Sequence, residues 1–178
     1  MNQKELTNKI KQGKILIYPT DTIYGIGCDA TNKQAVKKIK KIKSRDKDKP
    51  LSIIAPSINW IKENCIVKAD LNKYLPGSYT LILKKKNPDF LKWVSNTDSL
   101  GIRIPDSEFT KMIQKSKLPF ITTSVNLKGE KPVISISDIK QEITSQVDEI
   151  IDIGELNGNP STLIIDNKEI KRWSQYLI

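Results

Sequence analysis

The chain has 178 residues, 38% of them apolar, and a formal charge of +10, so it can form one domain with one sizeable core. It has no histidine, and Cys28 and Cys65 make no CxxC motif, which excludes Ser-His-Asp and Cys-His catalysis, histidine-bound or four-cysteine zinc and a disulfide framework. Residues 1–14 resemble no signal peptide and no apolar run approaches the roughly 20 residues of a membrane helix, so a soluble, cytoplasmic protein is expected.

Short apolar runs alternate with helical patterns along the chain. In the first half these predict a strand at Ile15–Tyr18, a helix at Lys33–Ile42, a strand at Leu51–Ala55, helices at Ser57–Asn64 and Ala69–Leu75, and strands at Tyr79–Leu83 and Leu100–Ile104. The second half predicts a helix at Ser107–Lys115, a strand at Phe120–Ser124, a helix capped by Ser137, and strands at Ile150–Ile153, Thr162–Ile165 and Ile170–Trp173. Because the alternation is irregular, we expect one α/β domain over residues 1–178, with a mixed parallel and antiparallel sheet and flanking helices.

Small polar side chains adjoin three of the predicted strands. The stretch "PTDTIYGIG" at Pro19–Gly27 leaves the first strand, "ITTSVN" at Ile121–Asn126 ends another, and "NPSTLIID" at Asn159–Asp166 leads into a third. Ligands of open α/β sheets bind beyond strand ends, which favours a site for a small polar ligand. A strand that leads into an Asx or Ser turn explains Ile121–Asn126 equally well.

Four cations are candidates for binding an anion. Lys43 and Arg45 follow a basic helix and can reach one polyanion, although a solvated loop with charges of both signs fits them as well. Arg103 interrupts the apolar run "LGIRIP" and needs a structural carboxylate, a ligand carboxylate or a place facing water on an edge strand. Arg172 beside Trp173 fits a nucleotide or a packed terminal strand. Together with the hydroxyls, these cations suit a phosphate chain and a small zwitterion, with catalysis by positioning and charge.

The order of several motifs resembles the YrdC-like family from about Leu16 to Arg172. These motifs are "PTDTIYGIGCDA", K-x-R followed by "PL", "PGSYTLIL", "GIRIP", "TSVN", "PSTLIID" and a late "I-K-R". The resemblance implies a twisted mixed sheet with a deep basic cavity, and places the chain with the short bacterial L-threonylcarbamoyladenylate synthases. Such enzymes are nucleotidyltransferases that make threonylcarbamoyl-AMP from L-threonine, bicarbonate and ATP with Mg²⁺ bound through the ATP phosphates, and release pyrophosphate. Partner proteins then use the intermediate to modify tRNA with threonylcarbamoyladenosine.

The resemblance also assigns site residues. For ATP it implies Lys43, Arg45, Ser99, Ser124, Asn126 and Arg172, of which Lys43 and Arg45 contact the phosphates and are the catalytic pair. For L-threonine it implies Thr20, Tyr24, Arg103, Thr122 and Ser161, while Gly25 and Gly27 are expected to let the backbone approach the ligand.

Two departures from the family pattern stand out in the sequence. Ile54 replaces a histidine of longer relatives, which favours the short branch. Ser174 replaces the glycine of the usual R-x-G motif, which leaves the local backbone open. One alternative function is a non-catalytic module that binds double-stranded RNA or tRNA through the same basic concave surface. Another is the carbamoyl-transferring domain of hydrogenase maturation factors, which lies in longer chains with zinc-finger cysteines that this sequence lacks.

Overall fold

A computed structural model describes residues 2–44, 48–127, 130–156 and 158–171 of the chain. The helices are α1 Gln3–Lys11, α2 Lys33–Ile42, α3 Ile58–Asn64, α4 Glu108–Ser116 and α5 Gln141–Thr144, with 3₁₀ turns at Leu71–Lys73 and Ile136–Asp138. The strands are β1 Leu16–Tyr18, β2 Gly25–Gly27, β3 Ser52–Ile54, β4 Cys65–Ile66, β5 Tyr79–Lys85, β6 Ser99–Arg103, β7 Phe120–Ser124, β8 Glu149–Ile150, β9 Thr162–Ile165 and β10 Lys168–Ile170. Within the described ranges no helix is both long and apolar enough to span a bilayer.

The strands form one mixed sheet in the order β10-β9-β5-β6-β3-β7-β2-β1-β8, and β4 pairs with β5 beside this path. Three pairs are parallel, namely β1 with β8, β3 with β6 and β5 with β9, and the other pairs are antiparallel. The predicted mixed sheet with flanking helices is therefore confirmed. Because β6 lies between β5 and β3, the sheet also excludes an edge-strand position for Arg103.

Apolar side chains of β1 pack on both faces of the sheet. Leu16 and Tyr18 join one cluster with α1 and α4, in which the ring of Tyr18 stacks on that of Phe109 at 4.5 Å between centroids. Ile15 and Ile17 point the other way, into the larger cluster that includes α2. This alternation is the two-residue period of a strand that is buried on both sides, so the described chain has helices on both faces of its sheet.

Side-chain caps fix where several helices begin. The side-chain oxygens of Asn32, Ser57 and Ser107 accept backbone N–H groups of the first turns of α2, α3 and α4. Each cap satisfies backbone donors that have no partner inside the helix. As a result, the predicted helix at Lys33–Ile42 is confirmed to the residue, and the helices predicted from Ser57 and Ser107 begin one residue later.

Some predicted elements differ from the structure. The helix predicted at Ala69–Leu75 is only the 3₁₀ turn Leu71–Lys73, because Pro76 follows closely and disfavours helical backbone before it. The helix predicted after Ser137 is divided into a 3₁₀ turn and the four-residue α5. A strand was predicted at Ile170–Trp173, whereas β10 covers Lys168–Ile170. Trp173 lies outside the described residues.

Candidate functional site

A pocket lined mainly by hydroxyl groups opens where β2, β3, β5, β6 and β7 lie side by side. Its cavity volume is about 40 Å³ for the centres of water molecules, within about 390 Å³ of empty space that includes open solvent. Six of the predicted site residues line it, namely Thr20, Tyr24, Arg103, Thr122, Ser124 and Ser161. All five residues that the family resemblance implied for L-threonine therefore lie together in this hydroxyl pocket.

Two further hydroxyl-bearing residues of the pocket, Ser52 and Thr80, were not among the residues predicted from the sequence. Thr80 is 1% exposed, and its Oγ1 lies 2.8 Å from Oγ of Ser161. The signal for Ser52 and Thr80 was a hydroxyl inside an apolar strand, in "PLSII" and "YTLIL". Such a residue in a strand marks a polar spot on one face of the sheet, although the sequence alone does not say which face.

Arg103 carries the positive charge of the pocket. It is only 6% exposed, and its Nη2 lies 2.5 Å from Oδ1 of Asp21 and 3.4 Å from Oγ1 of Thr22. Of the partners considered from the sequence, a structural carboxylate is thus the one present. Burial lowers the pKa of Arg103, and the Asp21 carboxylate acts in the opposite direction by stabilising the charged form.

The hydroxyls of Thr20 and Tyr24 hold the backbone around the pocket. Oγ1 of Thr20 accepts the N–H of Thr22 at 3.1 Å and donates to the carbonyl oxygen of Ile23 at 2.8 Å. The Tyr24 hydroxyl accepts the N–H of Ile153 at 3.0 Å and lies 2.7 Å from the carbonyl oxygen of Gly154. Burial raises the pKa of Tyr24. Thr20 is therefore part of the turn's own hydrogen bonding, whereas the Tyr24 hydroxyl connects this part of the chain to residues 153 and 154.

The predicted lysine and S-x-N motif meet at the end of β7. Nζ of Lys43 donates to the carbonyl oxygens of Ser124 and Asn126, although these residues are about 80 positions away in the chain. Nδ2 of Asn126 donates to the carbonyl oxygen of Glu130 at 2.7 Å, whereas its buried Oδ1 has no partner among the described residues. Ser124 connects this cluster to the hydroxyl pocket, because it lines the pocket and also accepts from Lys43.

Ser99, another predicted nucleotide residue, lies away from this cluster. Ser99 begins β6, four positions before Arg103, which in a strand corresponds to about 13 Å. It does not line the hydroxyl pocket, and its Oγ lies 3.3 Å from Oγ1 of Thr97. Arg45 and Arg172 lie outside the described residues.

Gly27 of "YGIG" has a role different from the one expected. A Cβ on Gly27 would lie 1.9 Å from the carbonyl oxygen of Ile121, and one on Gly25 would lie 3.1 Å from the Tyr18 ring. Gly27 is thus needed for the close approach of β2 to its neighbour, and not for approach to a ligand. Gly25 does line the pocket.

Comparisons with known proteins identify the family of the chain. The Sua5_yciO_yrdC family model, described as "Telomere recombination", matches residues 8–173. A Methanocaldococcus jannaschii protein provisionally named threonylcarbamoyl-AMP synthase is 40% identical over 166 residues, which cover 89% of this chain and 77% of that protein. The threonylcarbamoyl-AMP synthase of Pseudoalteromonas translucida is 32% identical over 167 residues, which cover 86% of this chain and 87% of that protein.

A solved structure of a protein from this family has a similar fold. The crystal structure of Pyrococcus abyssi Sua5 complexed with L-threonine matches with a TM-score of 0.81 at 28% identity. The match covers 91% of this chain but 50% of the other, so this chain spans about half the length of Sua5. On the family match and the shared fold, the chain belongs to the Sua5/YciO/YrdC family.

Proposed function

We propose that the chain is an L-threonylcarbamoyladenylate synthase, which forms threonylcarbamoyl-AMP from L-threonine, bicarbonate and ATP and releases pyrophosphate. The observation that carries this proposal is the gathering of Thr20, Tyr24, Arg103, Thr122 and Ser161 in one pocket. Relatives that bear the synthase name support it, as does the L-threonine complex of a protein with the same fold. The reaction transfers an adenylyl group, so the enzyme is a nucleotidyltransferase.

The pocket is suited to a small zwitterion. A guanidinium pairs with a carboxylate through parallel hydrogen bonds, and Arg103 is the cation of the pocket wall. Thr122 and Ser161 offer hydroxyls that can donate or accept and so orient the rest of the amino acid. In this proposal L-threonine occupies the hydroxyl pocket, with its carboxylate toward Arg103.

The phosphate side of the reaction requires charge neutralisation. The threonine amine takes up CO₂, in equilibrium with bicarbonate, as a carbamate. A carbamate oxygen then forms a bond to the α-phosphorus of ATP while the bond to pyrophosphate breaks. Lys43, Arg45 and Arg172 would offset the phosphate charge, and no covalent bond to the protein is needed. Mg²⁺ fits this scheme because it binds substrate phosphates and keeps several waters, and it would supply further neutralisation.

The product is an activated carbamoyl group that needs an acceptor. Partner proteins would take it for threonylcarbamoyladenosine modification of tRNA. The place of Lys43 supports a nucleotide next to the threonine, because Lys43 binds the backbone of Ser124, whose side chain lines the same pocket.

The test is to replace Lys43 and Arg45 together by Ala and to measure pyrophosphate release that depends on both ATP and L-threonine. We expect a loss of at least about 100-fold, because two cations that contact phosphates are removed. Lys37→Ala with Lys38→Ala is the matched control, since it removes the same charge from exposed positions of α2. Release near the wild-type rate in the first variant would contradict the assignment.

The same variants separate the proposal from an RNA-binding module. RNA binding that survives loss of Lys43 and Arg45, in a chain whose wild type shows no ATP turnover, would favour the module. A synthase should also be stabilised by its substrates, because a ligand that binds only the folded state raises the melting temperature. We expect ATP and L-threonine each to do so.

A further inference from the structure

The carboxylate of Asp21 is held at both of its oxygens. Oδ1 lies 2.5 Å from Nη2 of Arg103, and Oδ2 accepts the backbone N–H of Asp106 at 3.2 Å. The two contacts come from β6 and from the loop that follows it, so the direction of the carboxylate is fixed by the sheet. Side-chain exposure is 12% for Asp21 and 8% for Arg103, which makes this a partly desolvated ion pair and not a surface contact.

The turn that carries Asp21 is itself ordered. Oγ1 of Thr20 accepts the N–H groups of Thr22 and Ile23 at 3.1 and 3.3 Å, and it lies 2.8 Å from Oγ1 of Thr22. Thr22 in turn is the second described contact of Nη2 of Arg103. The sequence "TDT" thus forms one hydrogen-bonded unit around a single nitrogen of the guanidinium.

The Nε atom of the Arg103 guanidinium has a different environment from Nη2. Nε of Arg103 is buried and has no hydrogen-bond partner among the described residues. A buried donor without an acceptor is costly, and such groups concentrate at sites that a ligand completes. The Arg103 side chain also lines the hydroxyl pocket. An oxygen of a bound carboxylate would satisfy this donor.

We infer that Asp21 is a positioning residue for the proposed reaction: it holds Nη2 of Arg103 so that the Nε edge is presented to the substrate carboxylate. The inference rests on the proposed function. Asp21 neutralises Arg103 before any substrate arrives, and a zwitterionic amino acid then adds no net charge to the pocket. The pair therefore favours an α-amino acid over a simple carboxylic acid, which would leave an excess negative charge.

The experiment compares Asp21→Asn, Asp21→Glu and Asp89→Asn with the wild type in threonine-dependent pyrophosphate release. Asp21→Asn keeps the shape and removes the charge. We expect its KM for L-threonine to rise about tenfold or more, with the KM for ATP and kcat within about threefold. Asp21→Glu, which restores the carboxylate, should recover most of the threonine KM. Asp89→Asn makes the same change at a side chain that is 82% exposed and takes no part in the pair, so it should leave all three constants unchanged.

Several results would overturn the inference. They are an unchanged threonine KM in Asp21→Asn, an equal rise in the KM values for ATP and threonine in that variant, no recovery in Asp21→Glu, and the same rise in Asp89→Asn. A wild type that releases no pyrophosphate would instead contradict the proposed function. L-Threonine binding measured by calorimetry then decides the inference, which stands if Asp21→Asn binds at least about tenfold more weakly than the wild type. It falls if the two bind alike or if neither binds.

Discussion

The hydroxyl groups of Thr80 and Ser161 lie 2.8 Å apart although the two residues are 81 positions apart in the chain. Thr80 belongs to β5, and Ser161 directly precedes β9, which pairs with β5 in parallel. Both are almost fully buried, and both line the hydroxyl pocket. The pair therefore serves the stability of the sheet and the shape of the pocket together.

Removal of one hydroxyl of this pair should leave the other without its partner. We expect Thr80→Val to lower the free energy of unfolding by about 1–2 kcal/mol, and Ser161→Ala to do likewise. The double variant should cost less than the sum, because it leaves no orphaned hydroxyl. Urea denaturation of the four proteins measures this coupling. Strict additivity would show that the two hydroxyls do not depend on each other.

Lys85 should contribute strongly to stability. Its side chain is buried, and Nζ donates to the carbonyl oxygens of Pro88, Phe90 and Ser95 at 2.6, 3.2 and 3.0 Å. Lys85→Met keeps the length of the side chain but leaves these carbonyls without their donor, so we expect a loss of about 2–4 kcal/mol in urea unfolding.

The neighbouring lysine provides the control for this variant. The side chain of Lys84 is 65% exposed, and its Nζ lies 3.8 Å from Oδ2 of Asp98. Because exposed ion pairs contribute little, Lys84→Met should change the free energy of unfolding by less than about 0.5 kcal/mol. Equal effects of the two substitutions would mean that the loop carbonyls do not need Lys85.

Cys65 should make stability depend on alkaline pH. Burial raises its pKa to about 11, although Lys85 and Lys86 act in the opposite direction. An unfolded thiol ionises near pH 8.5, so above that pH the unfolded chain loses its proton first and the folded state loses stability as the pH rises toward 11. The slope from this group is at most about 1.4 kcal/mol per pH unit.

The comparison that isolates this effect is between the wild type and Cys65→Ala. Other groups titrate equally in both proteins. Between pH 8 and pH 10 the free energy of unfolding should therefore fall more in the wild type than in Cys65→Ala. Urea denaturation under reducing conditions at the two pH values measures it. A constant difference would show that the thiol ionises alike in the folded and unfolded chains.

Gly27 should tolerate substitution less than Gly25. In Gly27→Ala the new methyl group would overlap the carbonyl oxygen of Ile121, which is backbone and cannot rotate away. We expect a cost of about 3 kcal/mol or more, or a failure to fold. In Gly25→Ala the methyl would meet the Tyr18 ring at 3.1 Å, and a cost of about 1 kcal/mol is expected. Thermal unfolding of both variants tests the order.

The sequence predicted the parts of the fold that local patterns determine. Helix α2 has a capping Asn32 and an apolar face of Val36, Ile39 and Ile42, and β7 is a compact run of β-formers, and both were predicted to the residue. In contrast, β2 consists of "GIG", and glycine has low strand propensity, so only its pairing with β1 and β7 reveals it as a strand.

The candidate site also depends on contacts between distant residues that local sequence patterns do not predict. The motif order predicted Thr20, Arg103, Thr122 and Ser161 as site residues, and the fold places all four in one pocket. The sequence could state that Arg103 needs an anion, but not that the anion is Asp21, 82 positions away. Ser52 and Thr80 were overlooked because a hydroxyl inside an apolar run carries no sign of which strand face it occupies.

The pairing of β9 with β5 has a consequence for how the protein is made. Residues 79–81 pair with residues 162–164, so this part of the sheet and the Ser161 wall of the pocket are completed only after about 80 further residues have been made. A nascent chain that still lacks this strand exposes one edge of β5 and cannot bind its ligand. Substrates therefore cannot guide early folding, and the unfinished edge is where a chaperone or a second nascent chain would bind.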